Sequence, residues 1–346
     1  MLKERPAPND FRRAIRHLRS GIASPLAARM ITVATDAAET ELDKHQTAWL
    51  EGSSKSNLVF ILGDWGFGKS HIRMLLVDSF NGREIPYVSD HVDGKSGSLA
   101  HLHRTVPRWL ESLHLGPYTG IRSVVEGALK DPSRAKDWCK RHNTWFSWQL
   151  SNALRGMEWA WDLVPGHQFQ FPDSSLNHTK ALENLLSSAD LLAYFSKGGI
   201  VLLLDEAENV IRQHDIRGRR KTYDTLGRLA KVSQLLVFVF VTLRFYEQVR
   251  IDTERGIREC WTNWTPSAQA FVNTIYSIPV VATPQLSDAL AKELVGKIVQ
   301  VYRGAFNCKV PPAFAELVIS TWRQTTTKSV RLLVRTTIDA LDRIAS

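Results

Sequence analysis

The chain has 346 residues, 44% of them hydrophobic and 23% charged, which suits a soluble protein able to bury one large α/β domain and a smaller one. Cys139, Cys260 and Cys308 are too few and too scattered for a disulfide framework or a four-ligand zinc site, and the metal-like spacing of Cys139 and His142 has no second pair beside it. A formal charge of +9 predicts attraction to a polyanion, most simply nucleic acid, while the lack of a long apolar run or apolar leader predicts a cytoplasmic protein with no membrane segment.

Residues 1–50 read as an N-terminal helical segment. Phe11, Ile15 and Leu18 recur at helical spacing, Ser24-Pro25 interrupts them, and the pattern resumes from Leu26 to Trp49. The polar side carries Arg12, Arg13, Arg16 and Arg19, which suits either contact with a partner or nucleotide or a solvated helix face.

Residues 51–284 read as the core. Leu58–Leu62 is a five-residue apolar strand, and Gly63-Asp64-Trp65-Gly66-Phe67-Gly68-Lys69-Ser70 after it fits the G-x-x-x-x-G-K-[ST] phosphate loop. In such a loop glycines turn backbone N–H groups toward phosphate oxygens at a helix N-terminus, whose partial positive charge adds to the attraction. Here Ile72, Leu75, Leu76 and Phe80 follow at helical spacing. The expected ATP-binding set is Gly63 to His71, with Lys69 reaching the β- and γ-phosphates and the Ser70 hydroxyl coordinating Mg²⁺.

Ile85 to Asp90 reads as a second strand, followed by a polar loop from His91 in which Asp93, Lys95 and His103 are site candidates or a plain loop leads to a helix capped by Ser98. From 116 to 197 the pattern is a long helical insertion, with Trp138, Trp145, Trp148, Trp159 and Trp161 inside 24 residues. Interleaved Arg134, Lys136, Lys140, Arg141, His142 and Arg155 allow stacking on a single strand, but the spacing of Trp145, Trp148 and Trp159 favours a face turned to a core or a partner subunit.

The apolar run Ile200 to Leu204 ends in Asp205-Glu206, a Walker B arrangement in which Asp205 would hold Mg²⁺ and Glu206 would polarise the attacking water. A basic loop over residues 211–221, with Arg217, Arg219, Arg220 and Lys221, suits DNA, a neighbouring subunit or solvent. Leu235 to Val241 is another buried strand, ending at Thr242, placed to hydrogen-bond the water or γ-phosphate, and Arg244. Arg250, Arg255 and Arg258 are candidates for an arginine given to an adjacent subunit, and Ile275 to Val281 reads as a last strand. Residues 285–346 read as a small helical lid, with Arg331 at a helix start where it would fold over the nucleotide.

In this order the pieces resemble an AAA+ type P-loop ATPase, in the broad group that includes the origin-recognition and STAND ATPases: Walker A at Gly63 to Ser70, Walker B at Leu202 to Glu206, a sensor-1-like Thr242 and a sensor-2-like Arg331. Arg12 to Gly21, the Gly-Asp-Trp-Gly-Phe-Gly-Lys-Ser-His loop, and Val92-Asp-Gly-Lys with Leu99-Ala-His-Leu-His-Arg resemble the ATP-binding proteins of bacterial BREX phage-defence systems. The resemblance implies a P-loop parallel sheet flanked by helices, Mg-dependent ATP hydrolysis using Glu206, Lys69, Thr242 and Arg331, DNA and other defence-system proteins as partners, and leaves a homo-oligomer open. The long Trp-rich insertion departs from a minimal AAA+ domain, and no arginine finger can be matched. The alternative is a slowly hydrolysing, nucleotide-dependent scaffold or switch without direct action on DNA. A helicase would need a second RecA-like domain, which the helical patterns after Pro284 do not supply, and a water-activating acidic pair suits hydrolysis better than a small-molecule kinase.

Overall fold

The computed structural model describes residues 7–21, 24–33, 36–92, 99–166, 174–195, 198–212 and 215–345. In chain order they form α1 (Pro8–Arg19), α2 (Pro25–Ile31), α3 (Asp36–Leu50), β1 (Leu58–Leu62), α4 (Lys69–Arg83), β2 (Tyr87–His91), α5 (Leu102–Glu111), β3 (His114–Leu115), β4 (Tyr118–Thr119) and α6 (Ile121–Ser123). Then come α7 (Pro132–Arg141), α8 (Trp145–Leu154), α9 (Glu158–Leu163), α10 (Ser174–Tyr194), β5 (Ile200–Asp205), α11 (Ile216–Leu229), β6 (Leu235–Val241), α12 (Leu243–Arg258) and α13 (Pro266–Thr274). The last elements are β7 (Val280–Ala282), α14 (Asp288–Phe306), α15 (Phe314–Arg323) and α16 (Val330–Ala345).

The strands make one seven-stranded sheet in the order β4-β3-β2-β5-β6-β1-β7. β2 runs parallel to β5 with Tyr87 opposite Val201, and β5 parallel to β6 with Ile200 opposite Leu235. The start of β1 lies beside the start of β6, since the Val237 N–H donates to the Asn57 carbonyl at 2.8 Å and the Asn57 side chain donates to the Val232 carbonyl at 2.9 Å. Two strands that begin together run together, so β1 is parallel to β6. β7 keeps step with β1: Phe60 N–H donates to the Pro279 carbonyl at 2.9 Å and, farther along both strands, Thr283 N–H donates to Leu62 at 2.8 Å. β3 and β4 add an antiparallel hairpin at the other edge. Every residue of β5 and β6 is buried, as an uninterrupted apolar run demands of a parallel strand covered on both faces.

The chain folds as two compact units: residues 43–61 with 79–280, and residues 1–42 with 62–78 and 281–346. The first holds most of the sheet. In the second, Ala14 and Ile15 of α1 share an apolar core with Leu294, Ile298 and Tyr302 of α14, Trp322 of α15 and Leu333 and Leu341 of α16. Of the four arginines on α1, two are engaged within this unit. Arg19 grips Asp342 through two bonds of 2.9 and 2.5 Å, and Arg12 donates to the Ala305 carbonyl at 3.2 Å.

Three local expectations are corrected. The strand expected over Ile275 to Val281 shrinks to Val280–Ala282, because α13 runs to Thr274, a 3-10 turn takes Ile275–Ser277, and Pro279 has no N–H for the ladder. The basic loop is mostly helix: a 3-10 turn spans Ala207–Arg212, and Asp215 caps α11 by accepting from the Arg217 N–H at 2.9 Å. Arg219 and Arg220 of that stretch serve the fold: Arg219 is buried against Asp252 through bonds of 2.7 and 2.9 Å, and Arg220 reaches Glu259 at 2.6 Å while lying over the Trp264 ring. The third concerns the tryptophans. Trp138 and Trp161 are buried, but Trp145, Trp148 and Trp159 are exposed and do not face a core.

Candidate functional site

Within the smaller unit, the loop after β1 turns sharply into the helix that follows. Gly66 and Gly68 have φ of 81° and 95°, in the left-handed region where a Cβ is penalised, and at Gly66 a Cβ would also come within 3.1 Å of the Ser329 side chain. Gly63 is required by close approach, since a Cβ there would overlap the Thr283 hydroxyl. The loop opens directly into α4, whose first turn leaves N–H groups without intrahelical acceptors. Lys69 is 7% exposed, and its ammonium donates to the loop's own carbonyls, Gly63 at 2.7 Å and Asp64 at 3.5 Å. The same ammonium lies 5.6 Å from the centre of the half-exposed Trp65 ring.

The start of α16 is fastened to this loop: the Arg331 N–H donates to the Gly66 carbonyl at 3.1 Å, and the Arg331 side chain is exposed. Ser329 caps the helix, its hydroxyl accepting from the Leu332 N–H at 3.3 Å and its carbonyl from the buried Trp322 indole at 3.0 Å. His71 is hydrogen-bonded to the Thr32 hydroxyl at 3.0 Å, and burial pushes its imidazole down to about 4, so the ring is neutral at pH 7. Lys297 donates to the Thr32 carbonyl, and Arg29 pairs with Asp78 of α4.

The larger unit gathers the other expected groups at the carboxyl ends of its strands. Asp205 ends β5 and is 1% exposed, with His91 at the end of β2 3.9 Å from its carboxylate. Glu206 follows with φ of 58°, and its N–H donates to the Asp205 carboxylate at 2.9 Å. One carboxylate oxygen of Glu206 accepts from the Asn209 amide at 3.1 Å, and the same amide nitrogen donates to the Val92 carbonyl at 3.0 Å. Thr242 follows β6, is 2% exposed, and its hydroxyl has no hydrogen-bond partner among the described residues. A buried hydroxyl without a partner is costly, and it marks a position where a polar ligand atom would be welcome.

Arg244 is exposed at the start of α12. Among the neighbour-subunit candidates, Arg250 and Arg255 pair along their own helix with Glu254 at 3.2 Å and Glu259 at 2.7 Å, and Arg258 is exposed. His103 lies on α5 with its ring 5.9 Å from that of His101, whereas Asp93, Lys95 and Ser98 lie outside the described residues. His142 stacks on Trp138 at 4.2 Å and reaches Asp190 at 3.2 Å, and no cluster of metal-ligating side chains occurs among the described residues. Sequence reasoning missed Asn209, Ser329 and Thr283. The polar step three residues beyond Glu206 was a usable signal for Asn209; the other two declare themselves only through contacts distant in sequence.

Comparison with family models, curated proteins and solved structures gave no match. The molecule is defined by its mixed α/β fold, a mostly parallel sheet flanked by helices.

Proposed function

We propose that the protein is a Mg-dependent ATPase of the AAA+ type, a DNA-associated component of a bacterial anti-phage defence complex of the BREX kind. The observation that carries this reading is the loop after β1: two left-handed glycines at the mouth of α4, a buried lysine held on the loop's own carbonyls, and the start of α16 fastened to Gly66. Of the residues expected to hold Mg²⁺, the Ser70 hydroxyl in one unit and the Asp205 carboxylate in the other each supply a hard oxygen of the kind that ion takes. Bound Mg²⁺ would neutralise charge on the β- and γ-phosphates.

The chain's own residues do the rest. Lys69 exchanges the Gly63 carbonyl for phosphate oxygens, a stronger, charge-assisted partner. Glu206, its carboxylate oriented by Asn209, holds the water for attack, and the unpartnered Thr242 hydroxyl donates to the water or to a phosphate oxygen. Arg331 adds a positive charge beside the cradle, and the net charge of +9 supports a nucleic-acid partner.

Titration with a fluorescent ATP analogue and a phosphate-release assay test the reading. Lys69→Ala is expected to weaken ATP binding by about 10–100-fold and to abolish turnover. Equal ATP affinity in that variant would remove the phosphate-loop assignment.

A further inference from the structure

The helical segment between β4 and β5 carries a surface for which ATP chemistry has no use. Trp145 and Trp148 lie one helical turn apart on the outer face of α8, Trp159 comes from α9, and the three are 37%, 52% and 50% exposed. Their rings are contiguous, with centroids 5.4 Å apart for Trp145 and Trp148 and 6.4 Å apart for Trp148 and Trp159. Because Trp138 and Phe146 are buried in this segment's own core, the outer three are not needed to hold it together. At the size of an indole, half-exposure of three rings leaves roughly 300 Å² of apolar surface in one patch, the scale at which exposed patches become binding sites.

The charges around the patch narrow the choice of occupant. Arg155 caps α8 two turns beyond Trp148, and Arg141 ends α7 four residues before Trp145, lying over the Tyr194 ring. Among the described residues Arg155 has no carboxylate partner, and Arg141 only adds its charge to the field on Asp137, whose carboxylate is held by Lys140 at 2.9 Å. Of the acids beside the patch, Glu158 is held by Arg122 at 2.8 Å, and Glu183 by Lys180 at 2.8 Å while it also accepts from the Trp145 N–H at 3.1 Å. Asp162 is exposed and, among the described residues, unpaired, so the exposed guanidinium groups of Arg141 and Arg155 stand against one carboxylate that no described cation holds. A second copy of the chain would bring another +9 against this one, and the patch is far short of the roughly 800 Å² per partner of a stable interface. Aromatic faces flanked by exposed arginines match bases and phosphates instead.

We infer that Trp145, Trp148 and Trp159 form a stacking platform for single-stranded nucleic acid, with Arg141 and Arg155 at its phosphates. This gives the DNA-associated part of the proposed function a surface, and it rests on that part alone, not on ATP turnover. Fluorescence anisotropy of the full chain with a labelled oligothymidylate of about 12 nucleotides, without ATP, tests it. Binding tighter to the single strand than to a duplex is expected, weakened at least about tenfold in the Trp148→Ala/Trp159→Ala double variant and largely retained in Trp148→Phe/Trp159→Phe. The double variant should keep the parent's thermal midpoint and basal ATPase rate, and Lys69→Ala should bind the oligonucleotide as the parent does. Unchanged oligonucleotide affinity in the double variant overturns the inference, as does light scattering that shows only a lost dimer. If the parent binds the oligonucleotide but not ATP, the ATPase reading fails while the platform stands.

Discussion

Glu206 occupies left-handed backbone, φ 58°, which costs a residue with a Cβ about 1–2 kcal/mol. The turn is held from two sides: the Glu206 N–H is tied to Asp205, and the Glu206 carboxylate is tied through Asn209 to Val92 at the exit of β2. Under the proposed chemistry Asn209 is a positioning residue. Asn209→Ala is therefore expected to lower kcat about tenfold with the KM for ATP nearly unchanged, whereas Glu206→Gln should bind ATP and fail to hydrolyse it. An Asn209→Ala enzyme whose KM rises at constant kcat would move the residue from orienting Glu206 to binding. At this scale the sequence was informative where chemistry and spacing coincide, as in Gly66, Gly68 and Lys69. For Asn209 it offered only a polar step three residues beyond Glu206, since the role depends on one amide reaching two acceptors, one of them Val92 just past the end of β2.

Among the elements, α11 and α12 are joined by a buried ionic knot. Asp252 accepts two bonds from Arg219, one from the Tyr223 hydroxyl at 2.9 Å and one from Gln248 at 3.1 Å. Burial first, and then the Asp252 charge, hold the Tyr223 hydroxyl well above its ordinary value, so the phenol stays a donor. Arg219→Ala would strand a buried carboxylate and is expected to cost about 3–5 kcal/mol in chemical unfolding; a paired Arg219→Met/Asp252→Leu replacement should cost much less. Equal losses in both would assign the effect to packing. The buried strands were legible because an uninterrupted apolar run bounded by polar turns has few other solutions. α11 was not, since Arg217 to Lys221 reads as a solvated charge run until Asp252, 33 residues on from Arg219, is seen to neutralise one of its members. Likewise the spacing of Trp145, Trp148 and Trp159 fixes a shared face but not whether it points inward.

For the molecule as a whole, pH dependence follows from rings kept neutral by burial. His71 and His178, one in each unit, are both pushed down to about 4 from an ordinary 6.5, chiefly by burial. The unfolded chain takes up these protons as pH falls below 6.5 and the folded chain does not until about 4, so stability is full above that window and is lost through it. Each ring contributes a slope of up to about 1.4 kcal/mol per pH unit, and His71→Gln/His178→Gln is expected to flatten the thermal midpoint between pH 6.5 and 4. A midpoint that falls just as steeply in the double variant would place the acid sensitivity in other groups. The smaller unit draws its core from residues 1–42, 62–78 and 281–346, an association no local pattern could announce. On the ribosome this arrangement sets an order: the glycine-rich cradle emerges early, but the helices that complete its surroundings are translated about two hundred residues later. A nascent chain halted before residue 281 thus holds the glycine-rich loop without the partners that shape it, and under the proposed function any capacity to hold nucleotide waits for the helices beyond that point.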